Sequence, residues 1–217
     1  MPYGMRENGR LPNSEHESRP WRIREIVPDF TLEDVWGLPA QGGADDFPAL
    51  LEMVASLDPA HGESRATRLL WQLRDHLGAW LDLGRIRVPA GGSSDDVPVG
   101  KLPIPGTSET SLIERLPDDL RNTGADTDFG SLPFSPLYRT DVEAAAELSN
   151  RTVHGVAHLA WVDQGDGRYR GQMAVYVKPR GRFGQGYMAL IKPFRYWIVY
   201  PALMRQFQRA WDGRVRR

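Results

Sequence analysis

Two alternating runs dominate the pattern along the chain. Val153, Gly155, Ala157, Leu159 and Trp161 alternate with His154, Val156, His158, Ala160 and Val162. Tyr169, Gly171, Met173, Val175 and Val177 alternate with Arg170, Gln172, Ala174, Tyr176 and Lys178. A period of two is strand periodicity, because successive side chains point to opposite faces. Asp163-Gln164-Gly165-Asp166-Gly167 separates the runs with turn chemistry, so the pair reads as an antiparallel hairpin. Arg170, Gln172 and Lys178 suggest that one face of its second strand is outer, and Met173, Val175 and Val177 that the other is inner; were the first face inner, Gln172 and Tyr176 would become polar groups that orient a ligand.

Helical spacing is clearest over Ser64–Leu83, where Leu69, Leu70, Leu73, Leu77, Trp80 and Leu81 recur between a Ser64 cap and a Gly84 stop. A second apolar stripe, Leu190, Phe194, Trp197, Pro201, Met204, Gln208 and Trp211, predicts a terminal helix over 187–211. Pro201 must kink that helix or begin a new one. A shorter helix is expected from Asp45 or Asp46 to Leu57. Trp21–Val27 reads as a strand ended by Pro28, Thr31–Trp36 as a short capped helix, and Thr110–Leu116 as a strand. Leu137–Leu148 is ambiguous: Glu143-Ala144-Ala145-Ala146-Glu147-Leu148 has helical composition in a strand context. Residues 85–107 and 118–136 are loops. Residues 1–19 form a polar arm, and 20–217 a single domain. This order admits an α+β fold in which an antiparallel sheet curls around the last helix. The concave face of such a sheet is too wide for one helix to fill, so a cavity is expected.

Composition narrows the chemistry. The chain has 217 residues and no cysteine, which removes disulfides, thiolate metal sites and thiol catalysis together. A net charge of −1 argues against a nucleic-acid binder. The charge is unevenly spread: residues 1–165 carry a net −11 and residues 166–217 a net +10. The favoured meaning is that the two parts pack on each other. Arginine outnumbers lysine 24 to three, the mark of a GC-rich, bacterial genome. The N-terminus has no signal-like apolar run, and Lys192, Arg195 and two prolines interrupt the longest apolar stretch, Tyr187–Met204, so the expectation is a soluble cytoplasmic protein. Phosphate-loop, nucleophile-elbow and dinucleotide motifs do not occur, and no cofactor is expected. Gly181-Arg182-Phe183-Gly184-Gln185-Gly186 reads as a mobile loop before the last helix.

Six blocks in order, NSEHESRPWRI (13–23), PDFTLEDVWGLP (28–39), GGADDFPALL (42–51), AELSNRTVHGVAHLAWV (146–162), YRGQMAVYVKP (169–179) and GYMALIKPFRYWIVYPALMRQ (186–206), resemble DUF2867, a bacterial family of unknown function. That family is similar to the START/Bet v 1-like (SRPBCC) superfamily. The resemblance implies a helix-grip fold: a curved antiparallel sheet around a long C-terminal helix, enclosing an apolar cavity. It implies a cavity and not a reaction, and it carries no established catalytic residues over to this chain.

Candidate groups follow from both lines. His16, His154, His158 and Glu147 are the candidates for acid–base work. A shared metal is excluded for the strand pair His154 and His158, which stand about 13 Å apart at a strand's rise. Satisfied structural histidines are the favoured reading of that pair. Trp21, Trp80, Tyr138, Trp161, Met173, Phe194 and Trp197 are expected to line the cavity. The leading functional expectation is a module binding a small apolar or amphipathic molecule. A cyclase, dehydratase or hydrolase with a cavity histidine as base is the first alternative. Contact with a membrane surface through the basic, aromatic C-terminal segment is the second.

Overall fold

The hairpin lies at the heart of the sheet. β5 (Val153–Gly165) and β6 (Arg168–Pro179) pair antiparallel along almost their whole length, with Leu159 opposite Met173. The turn uses left-handed backbone at Gly165, Asp166 and Gly167, which is why two of its three residues are glycine. The computed structural model describes residues 9–56, 102–127, 129, 130, 132, 134–150, 152–181, 184–186, 188, 196 and 200–215. Among these, β1 (Arg10–Leu11), β2 (Thr31–Gly42), β3 (Ser135–Arg139) and β4 (Glu143–Ser149) complete a curved, six-stranded antiparallel sheet of order β1-β2-β6-β5-β4-β3. The fold is therefore α+β.

Three local expectations are corrected. Thr31–Trp36 is strand, not helix, because Trp36, Leu38 and Ala40 alternate onto one face with no exposure. Pro39 masks that alternation; it sits at an irregularity between Gly37 and Gln41, where a missing N–H costs no ladder bond. Trp21–Val27 is not a strand but holds the short helix α2 (Ile23–Ile26), after α1 (Asn13–Glu17); Ile23 and Ile26 share its buried side. Thr110–Leu116 is not a strand either: Ser111 caps a 3-10 turn, Leu112–Arg115, by accepting from the Ile113 N–H. The ambiguous Leu137–Leu148 resolves into β3 and β4.

The helix expected from Asp45 is present as a 3-10 turn, Ala44–Asp46, running into α3 (Phe47–Ala55). The helix α4 (Tyr200–Val215) covers the end of the predicted terminal stripe. Pro201 sits in its first turn, where no intrahelical N–H is needed. The predicted helix 64–83, with Trp71 and Trp80, lies outside the described residues, as do Phe194 and Trp197. Among the described residues, no helix is long and apolar enough to cross a membrane.

Two cores sandwich the sheet. On one face Trp36, Leu38, Leu159, Trp161 and Met173 meet α3 and α4, with Phe207 and Trp211 reaching in. On the other face Val35, Tyr138, Val156, Ala174 and Tyr176 meet Trp21, Ile23, Ile26, Ile104, Leu112 and Leu120. The assignment of the Arg170–Lys178 face as outer therefore fails: Gln172 is 3% and Tyr176 6% exposed. Its cover comes from helical segments of one turn or so, too short for periodicity to reveal. The described part of the N-terminal arm joins this body. Leu11 pairs with Val35, and Asn13 Nδ2 donates to Leu32 O at 2.8 Å.

Candidate functional site

Chemistry-bearing side chains gather on the face covered by α1 and α2. On β4, Glu143 and Glu147 are four residues apart and share a face; on β5, His154 and His158 do the same. The register sets Glu147 opposite Val156 and Ala145 opposite His158, so each glutamate lies diagonal to one histidine. Diagonal neighbours are within reach of long side chains. His158 Nε2 donates to Glu143 Oε2 at 2.7 Å, and His154 Nε2 bonds Glu147 Oε2 at 2.8 Å. All four are buried.

Buried carboxylates persist only when their oxygens are satisfied. Glu143 accepts from the Tyr138 hydroxyl and from the Arg22 backbone N–H, both at 3.0 Å. Burial pulls the Glu143 carboxyl upward, but the His158 bond and charge with these donors outweigh it and hold it below the usual glutamate range. Burial, then the Glu143 charge, pushes the Tyr138 phenol far above its ordinary range, so it stays a donor. Glu147 accepts from Leu112 N at 3.0 Å and from the Ser111 hydroxyl.

His16, from α1, is inserted beside this array. Its ring meets His158 edge-on at 5.0 Å and lies 6.0 Å from Trp21 and 5.8 Å from Tyr176. Burial, with His158 beside it, lowers its pKa to about 3, so the imidazole is neutral near pH 7. His16 Nδ1 bonds Gln172 Oε1 at 2.7 Å. Among the described residues His16 Nε2, His158 Nδ1 and Trp21 Nε1 have no partner, and the three rings lie 5.0–6.0 Å from one another.

Gln172 links this interior to the surface. A cleft of about 330 Å³ opens where α1 meets the turn end of the sheet. It is lined by Glu15 and Arg19, by Asp163–Gly165 of the turn, by Gly37 of β2 and Arg170 and Gln172 of β6, and by the apolar Leu11 and Val162. Among the described residues the Gln172 amide nitrogen has no hydrogen-bond partner, and it remains accessible. Arg170 Nε donates to Leu38 O at 3.0 Å. Gly37 leaves room for that guanidinium: a Cβ there would sit 2.7 Å from Arg170 Nη2. Arg19 closes the rim with a bond to Asp163 O at 3.3 Å.

The structure thus brings His16, His154, His158, Glu147, Trp21 and Tyr138 onto one face. It puts Trp161 and Met173 on the other, inside the core against α3 and α4, where Trp161 Nε1 donates to Gly43 O at 2.7 Å. The described aromatics expected to line one cavity are therefore divided between the two faces. Trp80, Phe194 and Trp197 lie outside the described residues. Sequence reasoning missed Glu143, because its Ala-rich surroundings read as helix. The matched spacing of Glu143/Glu147 and His154/His158 on adjacent strands was the signal that could have found it. Gln172 and Arg170 sit on the face that their polarity suggests is outer.

A second polar cluster pins α4 to the sheet. Asp34, with no exposure, accepts from the Tyr196 and Tyr200 hydroxyls, the latter at 3.0 Å, and lies 3.7 Å from the Arg10 guanidinium. Trp36 stacks on Tyr200 at 4.1 Å.

No curated protein and no solved structure matches the chain. A family model does, over residues 26–202, a span that holds β2 to β6, the paired glutamates and histidines, and the cleft residues Gly37, Arg170 and Gln172. By that match the chain belongs to the DUF2867 family, described as proteins of unknown function.

Proposed function

We propose that the protein binds an amphipathic small molecule in the cleft beside Gln172. One observation carries the reading: Gln172 has one end of its amide tied to a buried histidine and the other end free in a cleft with both charged and apolar walls. Sites of this kind fix orientation with a few placed polar groups and gain affinity from apolar contact. We read the frame as a helix-grip variant of START/Bet v 1-like type, with the terminal helix laid across one face of the curved sheet. The test is native mass spectrometry of the freshly purified protein, together with crystals grown from the same preparation. A co-purified small molecule with density in the cleft, lost in Gln172→Leu, is expected. Ligand density elsewhere, or none after screening amphiphiles at millimolar concentration, overturns the reading.

A cyclase, dehydratase or hydrolase is the second reading. The run Tyr138–Glu143–His158, with His16 between it and Gln172, favours it, since a carboxylate-held histidine with a free ring nitrogen is base chemistry. Recovery of a ligand chemically altered after incubation, and unaltered with His158→Gln, would support catalysis. Membrane contact draws less support, because Tyr200 and Trp211 are buried in the core and Tyr196 is bonded to Asp34.

A further inference from the structure

The deep end of the cleft has a definite chemical preference. This inference rests on the proposed ligand site and names the class of ligand it takes. We propose that Gln172 and Arg170 form a subsite for the carboxylate of a small organic acid with an apolar body, and that His16 acts as the positioning residue that orients Gln172 for it.

An amide side chain offers one acceptor oxygen and a two-proton donor nitrogen. In Gln172 the oxygen is occupied by His16 Nδ1. The reverse arrangement would need the proton on His16 Nε2, which has no partner among the described residues, and would strand a buried N–H. A bare lone pair costs less there than a stranded donor. The Nδ1–H tautomer therefore holds the oxygen inward, and the cleft receives only N–H donors from Gln172. Arg170 lies two residues earlier on the same strand face, about 7 Å along β6. Its guanidinium is donor-only and half-buried, anchored by Leu38 O and spread over the bare backbone of Gly37, which pairs opposite Gln172. Both side chains, one of them cationic, line the same cleft. A carboxylate can accept from both in charge-assisted bonds.

The remaining lining limits the rest of the ligand. Asp163 is exposed, and its Oδ1 is taken up by the Gly165 N–H at 2.7 Å inside the turn. Glu15, on α1, adds a negative charge to the lining, which disfavours a second acid group on the ligand. Leu11 and Val162 supply apolar contact instead. A monocarboxylate with an apolar body satisfies all of these.

Benzoate and its neutral isostere benzamide are the probes, titrated into 15N-labelled full-length protein. Benzoate is expected to shift the Gln172 side-chain NH2 resonances saturably and to bind about tenfold or more tighter than benzamide. Gln172→Glu keeps the side chain's size and places a like charge at the site; Arg170→Met removes the cation. Each should weaken benzoate about tenfold or more while the backbone spectrum stays folded. His16→Ala frees the amide to rotate, so the preference for benzoate over benzamide should collapse, a change in selectivity that mere loosening would not produce. Equal binding of the two probes overturns the subsite, as does benzoate binding that survives both cleft variants, or a saturable shift that spares Gln172. If a neutral or cationic molecule occupies the cleft instead, the ligand site stands and the carboxylate subsite falls. If no amphiphile of any charge perturbs the cleft, both fall together.

Discussion

At the scale of single residues, His16 and Glu143 both make the protein less stable in acid. An unfolded histidine takes up a proton near pH 6.5, whereas His16 in the fold resists it down to about 3. Between those values the unfolded chain binds the extra proton, so stability falls as pH falls, by at most about 1.4 kcal/mol per pH unit for this one group. Glu143 acts in the same direction. Its folded pKa is depressed, so its contribution is present above the usual glutamate range and is lost as pH falls through the folded value. Urea midpoints at pH 7, 5.5 and 4.5 should decline steadily, and His16→Gln should flatten the decline between pH 6.5 and 5. A midpoint independent of pH across that window would contradict a buried neutral His16. Removing one partner of a buried pair leaves a charge or a donor stranded, so Glu143→Ala should cost about 3–5 kcal/mol. A double-mutant cycle of Glu143→Gln with His158→Gln, read from urea melts, should return positive coupling.

At the scale of elements, β4 shows tertiary context overriding propensity. Its centre, Ala144-Ala145-Ala146, favours helix on intrinsic grounds. In the fold it is an inner strand between β3 and β5, and all three alanines are buried, facing one core or the other in alternation. Small side chains there let the covering layers close over a row of bulky neighbours on β5. Ala146→Leu should therefore overpack the α3–α4 core and cost about 1–3 kcal/mol, read as a lowered urea midpoint. An unchanged midpoint would mean that this face has spare volume. The hairpin was legible because strand alternation and turn chemistry are local and coincide at 163–167. β2 was not, because Pro39 and Gly37 interrupt an alternation that only its pairing with β6 restores.

At the scale of the whole molecule, part of the uneven charge of the chain is paired internally. Among the described residues the basic C-terminal part meets the acidic N-terminal part through two ion pairs, Lys178–Asp29 at 2.5 Å and Arg214–Asp46 at 3.1 Å. Packing follows the same division. Trp211 of α4 lies 6.1 Å from Trp161 of β5 and is nearly fully buried. Trp211→Ala should cost about 3–5 kcal/mol and reduce the near-ultraviolet signal of Trp161; a loss below about 1 kcal/mol would show that α4 is not part of the core.

The sequence by itself determined the family, the central hairpin, the helix after Asp46 and the set of histidines worth attention. These rest on signals carried within a few residues: alternation, caps and turns. Only the tertiary structure decided that the sheet is covered on both faces, that each strand histidine meets a glutamate, and that Gln172 joins a buried imidazole to an open cleft. Those facts depend on register between strands and on segments 20–30 and 104–120, whose single helical turns are too short to show a period. Such residues reveal what they cover only once the chain has folded over it, because burial is a property of the partner as much as of the residue.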